Sequence, residues 1–329
     1  MRIENVNRAT DGASFFLDAP DHVPAIWGEG DRVLWSQGEP MLLVGPDGVG
    51  KTSLVQQLLL KRHGIGEPVL LGMPVAAESR RVLYVAADRP EQARRSGRRM
   101  VTEADRQSLS WLAVWRGPLP FDLATSPERL AELALDHDAG TVVIDSLKDV
   151  AVDLSKDETG SAISHAFQHA LAAGIEVAAL HHPRKEAGDG RKPRTLADVY
   201  GSRWITASCG SVVLLWGDAG DPLVELRHLK PPAGEVGPLK VVHDHRRGES
   251  RVHSATDLYA LVLQATNGGL TVAEAASHLF GASEPSPNEI EKARRRLDDL
   301  VTRGHAVRAP GATSKAPARY RPVELLRVV

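Results

Sequence analysis

The residues with the most explicit chemistry in this chain are Gly45-Pro46-Asp47-Gly48-Val49-Gly50-Lys51-Thr52, a glycine, four residues and then Gly-Lys-Thr. This is the phosphate-loop (Walker A) spacing. Main-chain amides at the start of a helix wrap a chain of phosphates, the lysine reaches the β- and γ-phosphates, and the threonine hydroxyl ligates Mg²⁺. The flanks agree with that reading. Met41-Leu42-Leu43-Val44 is an apolar run of strand length, and Ser53 through Leu60 reads as a helix. A chance glycine turn would not need both. The pattern predicts a site for ATP with Mg²⁺ over Gly45–Ser53, with Lys51 and Thr52 as its chemical groups.

Three further stretches could complete such a site. Thr141-Val142-Val143-Ile144-Asp145-Ser146 is an apolar strand with an acid at its tip, and Asp145 there would hold Mg²⁺ beside Thr52. Val82 through Asp88 is a second apolar run ending in an acid. Asp88 could orient or deprotonate an attacking water, or it could cap the helix starting near Pro90. The pair His181-His182 closes a third run, and His182 could contact the γ-phosphate and report its loss to the next loop. A solvated turn is the alternative, and two adjacent histidines without a third ligand make a poor metal site. That next loop, Pro183 to Arg203, holds six Lys/Arg against three Asp/Glu. Arg184, Lys185, Arg191, Lys192 and Arg194 could track a nucleic-acid backbone, or be simply solvated. The arginines at 94, 95, 98 and 99 read as a solvated helix face or a subunit contact.

These groups need a scaffold that brings strand ends together. Over 329 residues the hydrophobic share is 42% and the net charge −2, enough for a sizeable core and too balanced for a uniformly basic surface. Strand-length runs at 41–44, 69–71, 82–86, 112–114, 141–145, 175–180, 211–216 and 223–229 alternate with helical stretches at 51–63, 91–104, 127–137 and 158–173. That alternation predicts an α/β fold with a mostly parallel sheet covered on both faces and ligands at the carboxyl ends of its strands. Residues 1–30 read as an N-terminal arm and 31–245 as the core. A charged, strandless linker is expected around 243–250, assigned as 246–256. Residues 257–329 then form a small domain of three helices: about 257–266, Val272–Phe280 capped by Thr271 with Glu274, and about 287–303. Two strands near 305–308 and 319–323 follow, joined by a wing. Cys209, the single cysteine, reads as a packing residue. With no signal-like start and no membrane-length apolar run, a soluble cytoplasmic chain is expected.

Together, Gly45–Thr52, Val82–Asp88, Val142–Asp145 and the string His181-His182-Pro183-Arg184-Lys185 resemble a RecA-like P-loop NTPase core. The branch is that of the hexameric replicative helicases, the RepA-like, DnaB-like superfamily 4 ATPases, and the resemblance covers roughly 25–245. It implies Lys51 and Thr52 on phosphate and Mg²⁺, Asp145 as the Walker B acid and His182 as the sensor. Asp88 stands where the family has a glutamate, one methylene longer. It also implies self-association into a ring or filament, with a neighbour's cation reaching the γ-phosphate; Arg203, Arg227 and Lys230 are candidates. The C-terminal segment resembles a winged helix, whose third helix carries Lys292, Arg294, Arg295 and Arg296, with Arg308, Lys315, Arg319 and Arg321 on or near the wing. DNA, single-stranded in particular, is then the expected partner, although a winged helix can equally bind protein. The leading expectation is a DNA-dependent ATPase, a helicase or translocase. The alternatives are a RecA/RadA-like recombination or loader ATPase, and a nucleotide-gated DNA-binding regulator.

Overall fold

Branched apolar residues in uninterrupted runs build the strands of this fold, and their alternate side chains feed two separate cores. The computed structural model describes residues 9–184, 192–245, 247–253, 258–265, 268–310 and 316–323. In chain order, helix α1 (Gly12–Leu17) precedes a hairpin of β1 (Ala25–Glu29) and β2 (Arg32–Ser36), then β3 (Met41–Val44) and α2 (Lys51–Arg62). A small ribbon of β4 (Val69–Leu70) and β5 (Met73–Pro74) leads to β6 (Arg81–Ala86), α3 (Pro90–Arg98), β7 (Leu112–Arg116) and α4 (Arg129–Asp136). Then come β8 (Ala139–Asp145), α5 (Asp157–Ala172), β9 (Glu176–His181), α6 (Arg203–Ser208) and β10 (Ser211–Trp216). The core closes with β11 (Leu223–Lys230), β12 (Leu239–Asp244) and β13 (Glu249–Val252).

The main sheet has nine strands in the order β13-β12-β11-β10-β3-β9-β8-β6-β7. The six from β10 to β7 are parallel, and β11, β12 and β13 extend the sheet antiparallel. Met41 and Leu43 of β3 pack with Leu54, Val55 and Leu58 of α2, while Leu42 and Val44 pack on the opposite face with Ile163 and Phe167 of α5. Burial on both faces is why these strands read as continuous apolar runs rather than alternating ones.

Several expectations change. Residues 69–71 do not join the main sheet; β4 pairs only with β5, and Leu71 turns at φ 52°. The helix expected over 91–104 ends at Arg98, and a separate capped turn follows at Thr102–Asp105. Within the stretch read as an arm, Ile26 and Trp27 are core residues, with the Trp27 indole donating to the Leu70 carbonyl at 3.0 Å. The charged segment at 243–250 is not strandless. It is the β12–β13 hairpin, where Val241 and Val242 are buried and the charges alternate outward. Sparse apolar content on an edge hairpin hides the period-2 signal.

Beyond the hairpin lie α7 (Leu258–Gln264), β14 (Leu270–Thr271), α8 (Val272–Phe280), α9 (Pro287–Thr302), β15 (Ala306–Ala309) and β16 (Arg319–Pro322). The strands form an antiparallel sheet in the order β14-β16-β15 over a separate apolar core that includes Val262, Phe280, Leu297 and Tyr320. Thr271 and Glu274 make the reciprocal cap expected for α8, and Ser286 with Glu289 makes the same cap for α9. Among the described residues, no helix is long and apolar enough to cross a membrane. Cys209 is buried and donates to the Ile205 carbonyl at 3.2 Å, and burial pushes its thiol up to about 12. It therefore stays protonated and unreactive at ordinary pH.

Phe167 is 1% exposed at the centre of the α5 core. Phe167→Ala is expected to lower stability by about 3–5 kcal/mol through lost burial and a residual cavity. Chemical denaturation with an unchanged slope against denaturant checks this.

Candidate functional site

Four strand tips converge because their strands are neighbours in register. Val44 pairs with His181, and Ala86 pairs with Asp145, along the run β3-β9-β8-β6. Two further main-chain bonds lock the tips: Gly45 N–H donates to the His181 carbonyl at 3.1 Å, and Ala87 N–H to the Asp145 carbonyl at 2.9 Å. Gly45, His182, Asp145 and Asp88 thus emerge along one rim.

The phosphate loop bends between β3 and α2 with positive φ at Gly48 (74°) and Gly50 (101°). Neither position accepts a side chain. A Cβ at Gly48 would lie 3.0 Å from that of Ala219, and one at Gly50 would lie 2.7 Å from His243 Nε2. Lys51 heads α2 and folds back over the loop, its Nζ donating to the carbonyls of Gly45 at 2.6 Å and Pro46 at 2.8 Å. Burial pushes the ammonium down to about 8, against the pull of Asp47 and Asp145. Val49 is buried in the core, and the Ser53 and Ser96 hydroxyls meet at 2.8 Å, joining α2 to α3.

Thr52 Oγ1 donates to Asp145 Oδ2 at 2.8 Å, and the Tyr84 hydroxyl donates to the same oxygen at 2.6 Å. Burial raises the Asp145 carboxyl, while the two hydroxyls and Lys51 favour its ionised form. A hydroxyl and a carboxylate held at hydrogen-bond distance in one cleft are hard oxygen donors of the kind Mg²⁺ takes, so Thr52 and Asp145 fit that ion. The lysine and the open loop amides fit a phosphate chain.

One cleft of ≈ 180 Å³ holds Asp47, Gly48, Gly50, Lys51, Thr52, Ser53, Asp88, Asp145 and His182 among its lining residues. Asp88 is not the cap of α3; Arg89 occupies that position, and no side chain caps the helix. Its carboxylate instead lies 3.3 Å from Arg89 and 3.6 Å from Lys148. His182 Nδ1 lies 3.6 Å from Asp47 Oδ1, and burial, followed by Lys51, holds its imidazole below the usual range. His181 turns inward, with Nε2 2.8 Å from the Tyr200 carbonyl.

The structure adds residues that the sequence did not place at the site. Arg89, Gln92, Ser96 and Arg99 present one face of α3 and its C-terminal cap residue to the cleft, so Arg99 is no simple solvated cation. Arg99 also donates to the His245 carbonyl at 2.8 Å, bringing His245 to the cleft wall. Their spacing of three and four was a legible signal; Tyr84, inside an apolar run, and His243 and His245, inside a segment read as linker, gave none.

The other candidates are dispersed. Lys230 Nζ donates to the carbonyls of Thr206 and Ala207 at the end of α6, and Arg227 lies 3.2 Å from Glu225, which Lys192 and Lys240 also engage. Arg203 is exposed at the start of α6, and Arg184 and Arg194 are exposed nearby. Arg294 and Arg295 pair with Glu291, and Arg319 donates to the Gly269 carbonyl at 2.6 Å. Arg296 is exposed within the field of Asp221, and Lys292 pairs with Asp221. Lys185, Arg191 and Lys315 lie outside the described residues.

A protein-family model described as an AAA domain matches residues 8–188, more than half the chain. The chain belongs to this AAA-domain family. The match spans the phosphate loop, both acidic strand tips and the histidine pair, and it makes the chain a P-loop ATPase, a class that uses ATP and Mg²⁺. No curated protein matches the chain. The AAA-domain match stops before β10, so the antiparallel strands and the C-terminal unit lie beyond it.

Bound phosphate restores the Lys51 charge that burial disfavours. Above pH 8 nucleotide binding should therefore take up a proton, and affinity should fall by up to about tenfold per pH unit toward the unfolded value of the amine. In the free protein the sign reverses: stability gains as pH rises from about 8 toward 10.5, because the unfolded chain then holds the extra proton. Calorimetric titration at pH 9 in buffers of different ionisation enthalpy checks the uptake. Lys51→Ala should show none.

Proposed function

We propose that this chain is an ATP-hydrolysing, DNA-dependent ATPase of the RecA-like, hexameric helicase kind, working on DNA as a ring-forming helicase or translocase. The observation that carries the reading is the convergence of Lys51, Thr52, Asp88, Asp145 and His182, from four different strand ends, on one cleft. Lys51 and the loop amides hold the phosphates, and Thr52 and Asp145 hold Mg²⁺, which when bound supplies charge neutralisation at the phosphates. Asp88 accepts the proton of the attacking water or orients it, and Arg89 and Lys148 flank its carboxylate. His182, neutral at ordinary pH, donates toward the γ-phosphate and stands one residue before Pro183, where the basic loop begins.

That loop supports a nucleic-acid path. A short bridge between Pro183 and Val199, with Tyr200 N–H donating to the His182 carbonyl at 3.1 Å, ties the sensor to Arg184, Tyr200 and Arg203. Tyr200 is 38% exposed and Trp204 49%, and exposed rings among arginines are what base stacking on a single strand requires. Of the three finger candidates, Lys230 and Arg227 are held within their own subunit, which favours Arg203 as the residue reaching a neighbour's γ-phosphate. The helices and sheet beyond residue 257 are read as a winged helix with α9 toward DNA. A second reading, a nucleotide-gated DNA-binding regulator, is favoured by one contact: Lys292 of α9 is engaged by Asp221 rather than facing solvent.

Steady-state ATP hydrolysis with and without single-stranded DNA separates the two. The motor reading expects stimulation by DNA, loss of about 10²-fold or more in Lys51→Ala and in Arg203→Ala, and strand separation on forked DNA. Turnover indifferent to DNA would favour the regulator.

A further inference from the structure

The phosphate loop is touched from behind by a unit that the AAA-domain match leaves out. The loop joining β10 to β11 sits on Gly48, with Gly220 N–H donating to the Gly48 carbonyl at 3.1 Å and Ala219 packed against the Gly48 Cα. The β12–β13 hairpin lays the ring of His243 on Gly50. Burial holds that ring near 4, so it stays neutral. Loop and hairpin are joined to each other, since His243 N–H donates to the Pro222 carbonyl at 2.7 Å. Gln57 of α2 clamps the hairpin with two bonds to Ser250, at 2.7 and 2.8 Å.

The opposite side of the same unit holds the C-terminal helices. Asp221 forms an ion pair with Lys292 of α9, and the exposed Arg296 lies in the field of the same carboxylate. Arg251 of β13 donates to the Phe280 carbonyl at the end of α8. Leu223 packs on the apolar core of the C-terminal unit. The Gly48 carbonyl is therefore connected to Lys292 of α9 through Gly220 and Asp221, while His243 packs on Gly50.

We propose that this docked arrangement holds Lys292 of α9 on Asp221, and that nucleotide entering the phosphate loop releases it. Phosphate takes up the amides of the loop and re-aims its peptide planes. The Gly48 carbonyl is one of those planes, and the Gly220 bond to it is what holds the Asp221 loop in place. Displacing Ala219 and Gly220 moves Asp221 away from Lys292, and α9 is freed to meet a polyanion. The device rests on the reading of α9 as a DNA-contacting helix, and it couples affinity for nucleotide to affinity for DNA in both directions.

The test is binding of a labelled DNA duplex by the full chain, wild type and Asp221→Asn, each with and without a non-hydrolysable ATP analogue and Mg²⁺. Asn keeps the acceptor that receives the Leu223 N–H at 2.8 Å and loses only the charge. The expectation is that the analogue tightens wild-type binding by about tenfold, whereas Asp221→Asn binds at the tightened level without it. Arg251→Ala, which releases the hairpin from α8 by a different bond, should act in the same direction. Equal DNA affinity in all four conditions would overturn the proposal. Should no form bind DNA, the reading of α9 fails instead, and hydrogen exchange over residues 249–252 and 280–289 decides the docking by itself. Faster exchange with nucleotide, and in Asp221→Asn without it, upholds the device; unchanged or slower exchange contradicts it.

Discussion

A single carboxylate oxygen organises the rim of the cleft. Asp145 Oδ2 accepts from both Thr52 and Tyr84, so the first turn of α2, the tip of β8 and the inner face of β6 meet at one atom. Burial raises the acid, and two hydrogen bonds from hydroxyls together with Lys51 offset only part of that cost. The arrangement fixes the distance between the phosphate loop and the neighbouring strands before any nucleotide arrives. It also leaves the donors of a cation site already assembled, and such preorganisation is what makes electrostatic stabilisation effective.

The loop is constrained from two directions. On the cleft side Lys51 is folded onto the Gly45 and Pro46 carbonyls, a resting arrangement that bound phosphate would replace. On the other side His243 and Ala219 occupy the space that side chains at Gly50 and Gly48 would need. The glycines therefore serve two approaches at once, that of phosphate to the amides and that of the antiparallel extension to the back of the loop. The extension is short and its packing on the loop is close. A conformational change in the loop cannot be absorbed locally in a well-packed interior, so it is passed to whatever the extension carries.

How much of this was written legibly in the sequence depends on the type of signal. The phosphate loop, the two acidic tips and the histidine pair were visible because parallel strands buried on both faces end abruptly in polar residues. The caps of α8 and the spans of α8 and α9 followed from Thr271, Glu274 and Gly304 in the same way. The β12–β13 hairpin was missed because at the sheet edge only Val241, Val242 and His243 are buried, amid residues whose charges suggest a linker. Tyr84 was hidden by its neighbours, since one hydroxyl in Val82-Leu83-Tyr84-Val85 does not disturb an apolar run. The cations of the basic loop and of α9 were visible as charges, but their partners were not. Glu225 gathers Lys192 and Lys240 as well as the neighbouring Arg227, and Asp221 holds Lys292; the lysine pairings span 15 to 71 residues, which no local pattern reports.

Asp145 and Thr52 are proposed as the cation site of the nucleotide cleft. The most direct test is ATP affinity measured with Mg²⁺ and with the metal chelated, for wild type and Asp145→Asn. The account predicts that Mg²⁺ tightens binding by wild type, and that Asp145→Asn keeps the metal-free affinity but loses the gain from Mg²⁺. An undiminished Mg²⁺ effect in the variant would contradict it.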